Sequence, residues 1–279
     1  MKIERLNDDV IIYPDSGKHS ATIIVMHGLG DTAEGWAGSC ESWARSRALE
    51  HVKFILPTAE AVPVSMNNGY RMPAWYDIKG LTDRDNEDCP GIEDSISRIK
   101  QLIEGENALG LPNTRIALAG FSQGGAMALF AGLQLGKEAV PLAGLLVMSG
   151  YLPATKKFSL SSDTKVCHCH GTADQVVRFE MGCRTRDHIV GQGSVNYQFH
   201  PIQSMPHTVT DEVISIATSF LSTILPHDEA FIVKPKDPAE MSVKELKAAI
   251  RDLGIASKAV GFSEKYEFVN LIKEHYAEK

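Results

Sequence analysis

Short apolar runs alternate with stretches of helical periodicity through about residue 226. The run Val10, Ile11, Ile12 and Tyr13 predicts an early antiparallel strand. Residues 21–26 form a continuous apolar run, the pattern of a strand buried on both faces. A helical stretch over 32–49 and a strand over 52–56 follow. Ile92, Ile96, Ile99 and Ile103 recur at spacings of four, three and four, which predicts an amphipathic helix over 92–106. Further strands are expected at 115–119, 142–148, 164–168 and 196–200. Helices are expected at 126–131, 178–190 and 208–225. Thr208-Val209-Thr210-Asp211 fits a capping box at the start of the last of these. Such alternation predicts a mostly parallel sheet with helices on both faces, an α/β fold.

The pattern changes at 226–238, where Pro226, Pro235 and Pro238 sit among charged residues. The predicted organisation is an α/β domain over 1–226, a linker over 227–238 and a small helical module over 239–279. In the module Val243, Leu246, Ile250 and Leu253 recur at three, four and three. Ser242 and Glu245 form a capping box, and Gly254 is a stop signal. A second helix is expected from Ser263, with Tyr266, Val269, Ile272 and Tyr276 on one face.

Composition narrows the function classes. The 279 residues are 43% hydrophobic and 23% charged, with a net charge of −7. That charge argues against a general nucleic-acid footprint. No run of about 18 apolar residues predicts a membrane span. The first residues lack the apolar core of a signal peptide, Lys2 excludes N-myristoylation, and the last three are no prenylation signal. Five scattered cysteines argue against a disulfide framework and predict a reducing, cytoplasmic setting. Cys167-His168-Cys169-His170 looks metal-like, but C-x-C in a strand turns both thiols to one face with no second ligand pair nearby. A buried strand running into a turn is the expectation, with no metal and no cofactor.

The chemistry centres on Gly120-Phe121-Ser122-Gln123-Gly124-Gly125. It fits G-x-S-x-G, between a predicted strand and a predicted helix, the context that gives this motif meaning. A serine hydroxyl is a poor nucleophile and needs a base, which needs an orienting acid. In this fold the acid and then the histidine follow the serine along the chain. Asp174 comes just after a predicted strand, at the sheet end where sites collect. Its rival Asp163 precedes that strand. Among His188, His200, His207, His227 and His275, His207 sits in the loop between the last strand and the last helix of the domain. Two backbone donors are needed for an oxyanion: the N–H of Gln123 and, from His27-Gly28-Leu29-Gly30-Asp31, that of Leu29. His27 is expected to brace this loop.

With these pieces in place the chain resembles the acyl-protein thioesterase branch of the phospholipase/carboxylesterase family. The matching segments are residues 27–32, Arg71-Met72-Pro73-Ala74-Trp75-Tyr76-Asp77-Ile78, the serine motif, His170-Gly171-x-x-Asp174-x-Val176-Val177, and Met205-Pro206-His207. The resemblance implies an α/β-hydrolase fold and hydrolysis of long-chain acyl thioesters or esters, notably S-palmitoyl cysteine on proteins, with some members acting on lysophospholipids. It implies Ser122, Asp174 and His207 as the triad, Leu29 and Gln123 as oxyanion donors, and no cofactor. It also implies that residues 62–81 line an acyl channel and touch the membrane, with Met66, Met72, Trp75, Ile78, Leu81 and, beside the acid, Val176 as substrate-binding residues. The chain departs from the family at Ser204, Thr208 and Gln175, where Gly, Ser and Pro are usual. Lys2 stands near where many animal members carry a cysteine. Residues 241–269 resemble SAP-like helix–turn–helix modules, especially the carboxy-terminal module of the mesencephalic-astrocyte-derived neurotrophic factor type. Residues 239–279 hold seven Lys/Arg and seven Asp/Glu, so protein docking is expected there before nucleic acid. A carboxylesterase or lysophospholipase is the nearest rival reading. A binding adaptor acting through the tail is the rival from another class, and the complete triad argues against it.

Overall fold

The computed structural model describes residues 1–15, 17–80, 88–135, 140–234 and 236–277. The chain divides into two compact units, Met1–Val233 and Lys234–Lys279.

The first unit is built on β1 (Lys2–Leu6), β2 (Asp9–Tyr13), β3 (Ala21–Met26), β4 (Val52–Leu56), β7 (Ile116–Phe121), β8 (Gly144–Met148), β9 (Val166–Gly171) and β10 (Tyr197–Ile202). They form one sheet in the order β1-β2-β4-β3-β7-β8-β9-β10. From β4 to β10 every pairing is parallel, while the β1–β2 hairpin joins β4 antiparallel. A separate hairpin, β5 (Ala61–Val64) with β6 (Tyr70–Pro73), stands apart from the sheet.

The side-chain period of two divides the core. Ile24, Met26, Ile116, Leu118, Leu145 and Val147 face α2 (Ile92–Ala108), α3 (Gln123–Gly132) and α4 (Phe179–Gly191). Their neighbours Ile23, Val25, Ala117, Ala119, Leu146 and Met148 face α1 (Ala33–Arg45) and α5 (Asp211–Ile224). Continuous apolar strands are therefore required, since both faces are covered. α3 is buried along its whole length, which explains its all-round apolar sequence.

The expected α/β architecture is present, with three local differences. β1 and the tight turn to β2 escaped the sequence reading. Asn7 and Asp8 both take left-handed backbone (φ 48° and 69°), the signature of a two-residue hairpin turn that Asn and Asp tolerate. β5 and β6 also escaped it, because Pro63 and Pro73 argue against strands. An isolated two-stranded ribbon has free edges where proline does no harm. The capping box at Thr208 is a correction. α5 begins at Asp211 with Thr210 before it, and the Thr210 side chain makes no capping bond to the helix. The Thr208 N–H is instead used within the preceding loop, donating to the Pro206 carbonyl (2.8 Å).

Residues beyond 226 continue on the first unit. The Val233 N–H donates to the His19 carbonyl (2.7 Å), and Arg115 reaches the Pro226 carbonyl and lies over the Phe231 ring. The second unit packs α6 (Val243–Asp252) and α7 (Lys265–Ala277) around Leu246, Ile250, Phe268 and Ile272. Ser242 and Glu245 form the reciprocal cap at the start of α6, and Gly254 has φ 72° just past its end.

Burial pushes His19, His27, His51, His168 and His170 of the first unit below the ordinary histidine value of 6.5, His19 to about 4. Each is neutral in the fold at pH values where the unfolded chain binds a proton. Between the folded and unfolded values the unfolded state therefore takes up more protons, and stability falls as pH falls. Each unit of difference is worth about 1.4 kcal/mol per histidine. Melting followed by circular dichroism should show the midpoint dropping from about pH 6.5 downward, before the carboxylates near 4 protonate. A midpoint flat down to about pH 5 would contradict it.

Candidate active site

The site forms at the carboxyl ends of β3, β7 and β9 and in the loop after β10. Ser122 is the single residue between β7 and α3. Its backbone stands at φ 54°, ψ −116°, a conformation a side-chain-bearing residue rarely adopts. Neighbours hold it there. The Ser122 N–H donates to the Met148 carbonyl (2.9 Å) and its carbonyl accepts from Ala126 (3.0 Å). A Cβ on Gly124 would collide with the backbone of Met26, and one on Gly120 with the backbone of Gly124. The glycines of the motif thus let α3 start directly against the ends of β3 and β7.

Asp174 follows β9 in a turn that binds its carboxylate. Oδ1 accepts from the N–H groups of Val176 and Val177, both at 2.9 Å. Oδ2 accepts from His207 Nδ1 at 2.7 Å. With that nitrogen carrying a proton, Nε2 is left to accept from the Ser122 hydroxyl, 3.0 Å away. Burial opposes the charged form of Asp174. The His207 hydrogen bond and charge and the two N–H groups outweigh it, holding the carboxyl below its usual range. Two loops must approach closely for this pairing. The Ala173 N–H donates to the Met205 carbonyl (3.1 Å), and a Cβ on Gly171 would strike that same carbonyl. Asp163, the rival acid, is engaged elsewhere, by Ser194, Val195 and Asn196. His207 packs against the Phe121 ring (4.8 Å between centroids), and its side chain is 15% exposed.

The loop after β3 lies against the elbow. A Cβ on Gly28 would stand 3.6 Å from the Ser122 Cβ. The Gly30 N–H donates to the Pro73 carbonyl (2.8 Å), tying this loop to β6. Among the described residues, no acceptor takes the N–H of Leu29 or of Gln123. The latter opens the first turn of α3, where backbone N–H groups favour negative charge. His27 is a brace. Its Nδ1–H donates to the Gly28 carbonyl (2.6 Å), its Nε2 accepts from Ala59 (2.9 Å), and burial keeps it neutral.

One contribution was not visible in the sequence. The Gln123 side chain is buried and bridges the elbow to the segment after β6. Its Oε1 accepts from the Trp75 N–H (3.0 Å) and its Nε2 donates to the Tyr76 carbonyl (2.8 Å). Trp75 completes the loop by donating its indole N–H to the His27 carbonyl (2.8 Å). An amide at the start of a wholly apolar, buried helix was the available signal, since such a group must find partners.

The residues expected to bind substrate divide. Met72 stands next to the loop, with its sulfur 3.4 Å from where a Cβ on Gly30 would be. Val176 is 42% exposed, two residues past Asp174. Met66 is partly buried against the core. Trp75 and Ile78 are each 2% exposed and pack into the core on the α2 side, so they support the segment from beneath. Leu81 lies outside the described residues. A cleft of about 580 Å³ is lined by Val62, Pro63, Trp75, Tyr76, Asp94 and Arg98, among others; Ser122, Asp174 and His207 are not in its wall.

A sheet of this order, with a serine on the strand–helix turn and an acid and a histidine on later loops, defines an α/β-hydrolase. Residues 7–225 match the family model described as Phospholipase/Carboxylesterase, and the chain belongs to that family. It is 39% identical over 228 residues to acyl-protein thioesterase 1 of Neurospora crassa, covering 77% of this chain and 91% of that one. It is 40% identical over 216 residues to acyl-protein thioesterase 1 of Yarrowia lipolytica, covering 75% and 93%. The crystal structure of Zea mays acyl-protein thioesterase 2 superposes with a TM-score of 0.66 at 27% identity, covering 78% of this chain and 98% of that one.

The Gln123 bridge predicts a separable effect. Gln123→Met keeps the backbone N–H and the bulk but removes both bridging hydrogen bonds, leaving the buried Trp75 N–H without the acceptor that Gln123 supplies. About 1–3 kcal/mol of stability should be lost, and kcat should fall about tenfold as the His27–Gly30 loop loosens. Steady-state kinetics beside thermal melting checks this. Unchanged kcat and melting together would contradict the bridge.

Proposed function

We propose that this hydrolase cleaves long-chain acyl thioesters and esters through Ser122, and that its principal substrates are S-palmitoylated proteins. The observation that carries the reading is the hydrogen-bonded line Ser122–His207–Asp174 beside two N–H groups with no acceptor among the described residues. Relatives at 39–40% identity named acyl-protein thioesterase supply the substrate class.

Ser122 Oγ attacks the acyl carbonyl as His207 Nε2 takes its proton. Asp174 keeps the imidazole in the tautomer that makes this transfer possible and stabilises the imidazolium that results. The N–H groups of Leu29 and Gln123 donate to the oxyanion. When the tetrahedral intermediate collapses, His207 returns the proton to the leaving sulfur or oxygen, and the acyl group stays on Ser122. Water then enters, gives its proton to His207 and attacks the acyl-serine. The second collapse expels Ser122, which recovers its proton, and frees the fatty acid. A cysteine thiol, with a pKa near 8.5, leaves with little help, whereas an alkoxide depends on proton return from His207. The same residues therefore serve both bonds, with thioesters the less demanding.

A second reading, a carboxylesterase acting on small or lysolipid esters, is favoured by the burial of Trp75 and Ile78, which removes two apolar side chains from the expected acyl channel. Contact with a membrane surface is proposed for the β5–β6 hairpin, on whose β6 strand Tyr70 is 70% exposed. None of the five cysteines is in a disulfide, and a reducing, cytoplasmic compartment is proposed on that ground. The Lys234–Lys279 unit is proposed to dock a protein partner.

A fluorophosphonate probe should label wild type and not Ser122→Ala, and equal labelling would remove Ser122 from the mechanism. Hydrolysis of an S-palmitoylated peptide should exceed that of its oxygen-ester counterpart and of a short ester at equal concentration. Preference for the short ester would support the second reading. A chain ending at Val233 should keep the rate on a soluble ester within about twofold, since the tail is assigned no part in the chemistry.

A further inference from the structure

The paired histidines of β9 are not absorbed by acyl transfer. Cys167 and Cys169 enter the core on the α1 and α5 side, so the intervening His168 and His170 point the other way, beneath α4. Both rings are fully buried. Phe199 packs edge-on to His168 (4.9 Å), and Phe179 stands 6.0 Å from His170. Two imidazoles in an apolar wall are costly unless every nitrogen is satisfied.

They are satisfied in one continuous line. The Tyr197 hydroxyl of β10 is 2.7 Å from His168 Nδ1. His168 Nε2 is 3.2 Å from His170 Nδ1. His170 Nε2 is 2.8 Å from the Val177 carbonyl and 3.7 Å from Asp174 Oδ2. That carboxylate oxygen is the one that accepts from His207. The Val177 N–H also holds the other carboxylate oxygen.

The protons follow from the acceptors. A carbonyl can only accept, so His170 Nε2 carries the hydrogen. Its Nδ1 must then accept, so His168 donates from Nε2. His168 Nδ1 is left to accept the Tyr197 hydroxyl proton. Reversal at His168 alone would set two lone pairs against each other between the rings. Burial keeps both imidazoles neutral and holds the Tyr197 hydroxyl protonated. The charged or titratable groups around the line are Cys167 on β9, His200 on β10, Glu180 and Arg186 on α4, and Asp174 and His207 at its end.

We propose that Tyr197, His168 and His170 are positioning residues for the triad acid: the line satisfies every other nitrogen of the one arrangement in which His170 turns an N–H, and not a lone pair, to the Val177 carbonyl and the Asp174 carboxylate. This rests on Asp174 being the triad acid. The N–H anchors the 174–177 turn and lends positive character to the oxygen that orients His207. With the polarity reversed, a lone pair would face two acceptors, the turn would shift, and the potential at His207 would become more negative.

The test uses the full chain, a soluble thioester and three variants. Tyr197→Phe removes one hydroxyl and frees His168 to reverse. His168→Leu removes the relay. His168→Gln keeps an N–H near the place of Nε2. Tyr197→Phe and His168→Leu should lower kcat about tenfold with KM within about twofold. The acid limb of their kcat/KM profile should move to higher pH, a change that loss of packing alone does not produce. His168→Gln should return kcat to within about threefold of wild type and restore the limb. Unchanged kcat and acid limb in Tyr197→Phe would overturn the proposal, whether or not His168→Leu folds. So would a His168→Gln enzyme as impaired as His168→Leu. Fluorophosphonate labelling of Ser122 in wild type separates the two levels: without it the triad reading fails, and with it but unchanged variants only the relay fails.

Discussion

Ser122 stands at a backbone angle it would not choose, and much of the hydrolase unit exists to keep it there. A left-handed conformation at a side-chain-bearing residue costs on the order of 1–3 kcal/mol and persists only where the surroundings over-determine it. Here the surroundings are backbone. β7 delivers the chain to Ser122, the Met148 carbonyl of β8 takes its N–H, and α3 departs at once because Gly120 and Gly124 admit the approach. The turn sets the Ser122 hydroxyl at the sheet end, 3.0 Å from His207 Nε2, and the Gln123 N–H directly after it at the start of α3.

Buried polar groups then carry that geometry outward, each with a partner from a different element. Gln123 joins the elbow to Trp75 and Tyr76, Trp75 joins that segment to the His27 loop, and His27 joins the loop to Ala59. On the other side the Asp174 turn is held by its own N–H groups and by His170. Neutral histidines suit these places because each offers one donor and one acceptor in fixed directions. They are also why the fold should weaken as solution turns acid. The site and its acid sensitivity have a common origin in imidazoles kept from protonating.

What could be read from the sequence follows from which signals are local. The parallel strands were legible because burial on both faces leaves an uninterrupted apolar run, as at Ile23, Ile24 and Val25. The convergence of Ser122, Asp174 and His207 was legible because their order and their positions after strands are one-dimensional. Other features depend on neighbours distant in sequence. The β5–β6 hairpin was hidden by its prolines, which are tolerated because no third strand among the described residues pairs with it. Trp75 and Ile78 read as lining of an acyl channel, and only their packing on the α2 side of the core shows them turned inward. His168 and His170 read as a metal pattern or a plain strand. Their line to Asp174 needs Tyr197, 29 residues past His168 in the sequence.

The central claim is that acyl transfer passes through the strained serine. It is tested most directly by catching the intermediate. Enzyme mixed with an S-palmitoylated peptide, quenched within a turnover and digested, should carry the acyl group on the peptide containing Ser122. An acyl group attached elsewhere, or turnover with no acyl-enzyme at any quench time and undiminished in Ser122→Ala, would contradict it.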